Sequence, residues 1–125
     1  MSPGDYGKEL VLDLHNCNIA KFGKKNIQEY FNILCDKIKM EQESVHFWEY
    51  PGGEEKPDAP LAHLKGISAL QFIKTSSIVV HTIDDLKRVY INLFSCKDFD
   101  EDIAADFTQK YFEGEIKQQK TFDRI

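Results

Sequence analysis

The stretch Gly66-Ile-Ser-Ala-Leu-Gln-Phe-Ile-Lys-Thr-Ser-Ser-Ile-Val-Val-His-Thr-Ile-Asp-Asp-Leu-Lys-Arg-Val-Tyr-Ile-Asn-Leu-Phe-Ser-Cys96 decides the fold. It holds three runs rich in β-branched and aromatic residues, Ile67–Lys74, Ser77–Ile83 and Arg88–Ser95. Each run is too short for a helix and is bounded by polar turn-formers, so each reads as a strand. Asp84–Lys87 is a tight connection, which predicts a hairpin between the last two. Hydroxyl residues Thr75, Ser76 and Ser77 interrupt the apolar pattern at the first junction.

Outward from this block, Glu9–His15 reads as another strand, with Leu10, Leu12 and Leu14 on one face and Val11, Asp13 and His15 on the other. Asn16–Gly23 turns the chain. Over Lys24–Met40, Ile27, Tyr30, Phe31, Leu34, Cys35 and Ile38 recur at steps of three and four, the mark of an amphipathic helix. Val45–Tyr50 is a short aromatic strand, and Pro51–Pro60 has the Gly, Pro and charge content of a surface loop. Asp98 or Asp100 is suited to cap a second helix over Glu101–Phe112, with Ile103, Ala104, Phe107, Tyr111 and Phe112 inward. Gly114 ends it, and Glu115–Phe122 returns as a last strand. The expected architecture is α+β: one domain over 1–125, an antiparallel sheet, and two main helices packed on one face.

Composition narrows the function. A net charge of −5 and a pI near 5.3 argue against a general nucleic-acid binder. No apolar run reaches the length of a membrane span, and Met1–Lys8 lacks the apolar centre of a secretory signal. Three cysteines, Cys17, Cys35 and Cys96, without a C-x-x-C pair suit reduced thiols and a cytoplasmic location. His15, His46, His63 and His81 lack metal-ligand spacing, so no metal site is expected. Glycine-rich phosphate loops, G-x-S-x-G elbows and H-E-x-x-H helices are absent. By themselves, Thr75, Ser76 and Ser77 read as turn residues and His81 as a structural strand histidine. A convergence of these groups with Cys96 on a folded hairpin is the alternative.

The pattern Leu10-Val-Leu-Asp-Leu-His-Asn-Cys17, Gly66-Ile-Ser68, Thr75-Ser76-Ser77-Ile, His81-Thr82 and Ile91-Asn-Leu-Phe-Ser-Cys96 resembles the small bacterial and archaeal S-adenosylmethionine decarboxylase proenzymes. In that family the processing serine is followed after five residues by a histidine and after twenty by a cysteine, and is preceded at eight by a serine. Ser76, His81, Cys96 and Ser68 reproduce those separations without a gap.

The resemblance implies that the Ser76 hydroxyl attacks the Thr75 carbonyl, that Ser68 and His81 assist, and that β-elimination splits the chain between Thr75 and Ser76. The downstream fragment would then begin with a pyruvoyl group, the cofactor, derived from Ser76. Its carbonyl would form a Schiff base with S-adenosylmethionine and act as an electron sink during decarboxylation, for spermidine synthesis. Cys96 would be the proton donor. A homodimer with face-to-face sheets is also implied, with sites near the subunit boundary.

The departures from the family pattern touch substrate recognition more than cofactor formation. Thr75 stands where relatives carry Glu, and Thr82-Ile-Asp-Asp85 replaces Thr-Trp-Pro-Glu, removing an aromatic that helps to sandwich adenine. Asp13 matches a glutamate of the first strand and is the candidate substrate contact. Phe47, Trp48 and Tyr50 offer a substitute stacking surface, although core packing is the stronger expectation for each. Two alternatives stay open: a pyruvoyl-dependent decarboxylase of arginine or ornithine, and an uncleaved regulatory or binding homologue.

Overall fold

A computed structural model describes residues 1–50 and 65–125. The Pro51–Pro60 loop expected from sequence lies outside the described residues. The described residues run β1 (Gly7–His15), a single 3-10 turn (Ile19–Lys21), α1 (Lys24–Lys37), β2 (Gln42–Tyr50), β3 (Gly66–Ile73), β4 (Ser76–Ile83), β5 (Arg88–Ser95), α2 (Glu101–Phe112) and β6 (Glu115–Arg124). The strands form one antiparallel sheet in the order β2-β3-β4-β5-β1-β6. The α+β architecture expected from sequence is therefore the one observed.

Alternation sets the faces. Leu10, Leu12 and Leu14 of β1, Ile78 and Val80 of β4, and Val89, Ile91 and Leu93 of β5 are buried under the helices. Burying each such aliphatic contributes at most about 1.5–3 kcal/mol. Ile27, Tyr30, Phe31, Leu34 and Cys35 of α1 supply the other half of this core. On α2 the buried stripe is Ala104, Ala105, Thr108, Tyr111 and Phe112. Ile103, expected inward, is exposed. The helix turns its small residues onto the sheet, and Thr108 enters the core because its hydroxyl donates to the Ala104 carbonyl and meets the Tyr30 hydroxyl, both at 2.7 Å.

The helix ends follow local chemistry. Asp100 caps α2, its carboxylate accepting from the Asp102 and Ile103 amides at 2.9 and 3.1 Å. At the other end Glu113 takes a left-handed conformation (φ 53°). Helix α1 stops at Lys37, earlier than expected, because Lys39 turns left-handed at φ 59°. No helix among the described residues is long and apolar enough to cross a membrane.

Among the described residues, no helix covers the second face of the sheet. That face presents Asp13 from β1, Ser68 and Phe72 from β3, His81 from β4, and Tyr90 and Asn92 from β5, all exposed or half-buried. Core packing was the stronger expectation for Trp48, yet it is 62% exposed on this face. Its neighbour Phe47 points the other way and packs against the core.

Candidate active site

Residues Lys74 and Thr75 form the two-residue connection between Ile73 and its partner Ser76. Thr75 occupies a left-handed conformation at φ 59°. For a β-branched residue this is a true outlier, costing on the order of 1–3 kcal/mol. The peptide bond after it leads into Ser76, whose side chain opens the helix-side face of β4 and is 8% exposed.

Cys96 meets this turn from the far end of β5. Its main-chain N–H donates to Ser76 Oγ at 3.1 Å, and its thiol lies 3.9 Å from the same oxygen. Thr75 Oγ1 lies 2.7 Å from the thiol and donates to the Lys74 carbonyl at 2.6 Å. A cavity of about 360 Å³ adjoins these groups, lined in part by Met40, Ile73, Thr75, Ser76, Ser95 and Cys96. Thus Thr75, Ser76 and Cys96 are brought together as a unit.

Ser68 and His81 form a second unit. They are direct partners in the β3–β4 ladder, with Ser68 Oγ 2.8 Å from His81 Nδ1, on the helix-free face. Gly66 fixes this register: a Cβ there would fall 1.7 Å from the Thr82 carbonyl oxygen, so only glycine permits the approach. The Thr82 hydroxyl, buried beneath, accepts from the Ile67 amide at 3.2 Å.

The two units do not meet within one chain. Ser76 and His81 lie five residue steps apart on β4, about 17 Å at 3.4 Å per step, and an odd separation places them on opposite faces. The alternative of a convergence on a folded hairpin is corrected accordingly: the β3–β4 hairpin pairs Ser68 with His81, the return of β5 brings Cys96 beside Ser76, and the two pairs stay apart.

Asp13 lies in the same cross-sheet row as the second unit, in the order Trp48, Ser68, His81, Tyr90, Asp13. Two strand spacings, about 10 Å, separate Asp13 from His81. Sequence reasoning did not single out Tyr90. Counting outward from the Asp84–Lys87 connection identifies it as the β5 partner of His81. Cys17 and Cys35 are buried and take no part; burial pushes each thiol up to about 11. Among the described residues, no cluster of His, Cys, Asp and Glu has metal-binding geometry.

The S-adenosylmethionine decarboxylase family model matches residues 8–125. Among solved structures, the adenosylmethionine decarboxylase from Aquifex aeolicus superposes with a TM-score of 0.76 at 15% identity, covering 96% of this chain and 91% of that one. At that identity the likeness speaks for the fold. No curated protein matches the sequence.

Proposed function

Because the chain belongs to the S-adenosylmethionine decarboxylase family, we propose that it processes itself at Thr75–Ser76, carries a pyruvoyl group derived from Ser76, and decarboxylates S-adenosylmethionine for spermidine synthesis. The observation that carries this reading is the strained Thr75 placed directly before a serine whose oxygen is already engaged by Cys96.

The residues present fit the group. Ser76 begins a strand and adjoins a cavity large enough for the reacting end of an amino acid. In processing, Ser76 Oγ attacks the Thr75 carbonyl carbon; the C–N bond gives way to an ester, and the proton passes to the nitrogen of Ser76. Opening the turn releases the Thr75 strain, which lowers the barrier to leaving the precursor. Elimination at the Ser76 α- and β-carbons would then separate residues 1–75, ending in a carboxylate, from 76–125. Hydrolysis of the resulting enamine, with water adding and ammonia leaving, would give the pyruvoyl carbonyl. When formed, the pyruvoyl carbonyl supplies the electron sink that loss of carbon dioxide requires. Cys96 holds at Sγ the proton that returns to the substrate carbon.

Ser68 and His81 assist only if they reach a scissile bond, and their own chain keeps them about 17 Å from it. This supports a homodimer in which the pair of one copy serves the turn of the other. The helix-free face has exposed apolar groups to bury in such a contact, including Trp48, Phe72 and Phe122. Asp13 on that face is the proposed substrate contact, its carboxylate suited to hydroxyl or cationic groups. The reduced thiols fit the cytoplasm.

A second reading, an uncleaved binding homologue, draws on Thr75 at a position where relatives carry glutamate. Denaturing mass spectrometry of fresh protein separates the two. Fragments meeting at Thr75–Ser76, the second beginning with pyruvoyl, support processing; a lasting intact chain of 14.5 kDa supports the homologue.

A further inference from the structure

Among the described residues, the one buried charged residue is Lys8, 5% exposed. It stands second in β1, directly across from Ser95. Its Nζ lies 2.7 Å from Asp98 Oδ1 and 2.9 Å from Glu101 Oε2, donates to the Phe99 carbonyl, and lies 4.7 Å from the centre of the Phe99 ring. Burial works to lower the Lys8 pKa, and the hydrogen bonds to Asp98 and Glu101 more than offset it, so the ammonium stands above its ordinary value of 10.5.

The four residues Lys8 grips or faces bracket Cys96 on both sides. Ser95 Oγ, upstream, donates to the Lys97 carbonyl at 2.7 Å and accepts from the Lys97 amide at 2.9 Å, folding the chain tightly around Cys96. Gly7 abuts the same place, where a Cβ would fall 2.2 Å from the Ser95 oxygen and 3.0 Å from Cys96 Cα. Asp98, Phe99 and Glu101, downstream, are tied to Lys8. Desolvating an ammonium costs several kcal/mol, and an apolar side chain would fill this strand position without that cost. The sheet has no use for the charge, because its ladder bonds come from the main chain. The segment after Cys96 does use it.

We propose that Lys8 is a positioning residue for Cys96: by holding residues 98–101 it aims the Cys96 thiol and main-chain N–H at Ser76. The inference rests on the reading of Cys96 as proton donor, and it extends the working site to a residue that makes no contact with the reacting atoms.

The test compares Lys8→Met with Lys8→Arg, which keeps the charge. In a Ser76→Ala background, which stays uncleaved, the rate of Cys96 alkylation by iodoacetamide is measured. In the Ser76 background, kcat and KM are measured for S-adenosylmethionine. For Lys8→Met the alkylation rate is expected to change by about threefold or more as the thiol is re-aimed. Its kcat is expected to fall about tenfold with KM within about twofold, and Lys8→Arg to restore both.

A folded Lys8→Met protein with unchanged Cys96 alkylation overturns the proposal, as does a fall in stability alone. If Lys8→Met does not fold, the double variant Asp98→Asn/Glu101→Gln removes the same grip from carboxylates that are 65% and 38% exposed, and is judged by the same readouts. If the native protein neither splits nor decarboxylates, the functional reading fails, while the alkylation comparison still decides the role of Lys8.

Discussion

Ser68 and His81 face each other across the β3–β4 ladder, Oγ to Nδ1 at 2.8 Å, on the face of the sheet opposite Ser76. A single chain therefore presents the proposed nucleophile and the proposed processing pair back to back. This geometry makes association the condition for joint action, and it leads to the first expectation.

A chain carrying His81→Ala and a chain carrying Cys96→Ala should each be inactive, and co-refolding them should restore decarboxylation to about a quarter of the native level, since half the dimers are mixed and each has one intact site. Activity that stays at background in mixtures shown to exchange subunits refutes the shared site.

Ser76→Ala should abolish splitting, because no hydroxyl remains to attack the Thr75 carbonyl. Mass spectrometry after prolonged incubation provides the check. Appearance of the 76–125 fragment from this variant contradicts the acyl-shift scheme.

Strain at Thr75 has its own signature. In the uncleaved Ser76→Ala background, Thr75→Gly should stabilise the chain by about 1 kcal/mol, since glycine accepts φ 59° without the β-branched penalty. With Ser76 present the same change should slow splitting. Equal melting temperatures for the two uncleaved chains would remove strain from the mechanism.

Gly66→Ala should destabilise the fold by about 1–3 kcal/mol, because the added methyl collides with the Thr82 carbonyl. Displacement of β3 should also break the Ser68–His81 hydrogen bond. Thermal melts report the first effect, and the His81 ring resonances, followed by NMR, report the second. A melt equal to that of the native chain contradicts the close approach.

Acid should loosen the segment after Cys96. Hydrogen bonds from Lys8 hold Asp98 and Glu101 below their ordinary values of 3.8 and 4.5. Groups whose folded pKa is depressed add stability that is present above the unfolded pKa and lost as pH falls through the folded one. Melting temperature should therefore drop below about pH 4.5, and Lys8→Met should lose part of that dependence. Parallel profiles for the two proteins argue against the ion pairs.

Much of this was legible in the chain itself. Leu10, Leu12 and Leu14 alternate with polar residues, and Ile27, Tyr30, Phe31 and Leu34 recur at helical spacing. Such periodicities are local, and burial follows from them wherever one face is covered. Pairing was nearly legible as well. A two-residue turn at Lys74–Thr75 sets Ser68, six residues before it, opposite His81, six after it. The short Asp84–Lys87 connection likewise returns Phe94 opposite Ser77, which brings Cys96, two residues on, beside Ser76.

Other features came only from the tertiary structure. Which face each pair occupies depends on where the helices settle, and α1 and α2 cover one side of the sheet only. Among the described residues no helix covers the side on which Trp48 lies exposed, a fact that its aromatic strand does not encode. The grip of Lys8 on Asp98 and Glu101 spans some ninety residues of chain and exists only because β1 inserts between β5 and β6. Local spacing determined the elements and the hairpin partners in this protein. Long-range packing decided that Ser76 is buried and His81 exposed: a strand turns residues an odd number apart to opposite faces, and the described helices α1 and α2 cover the Ser76 face.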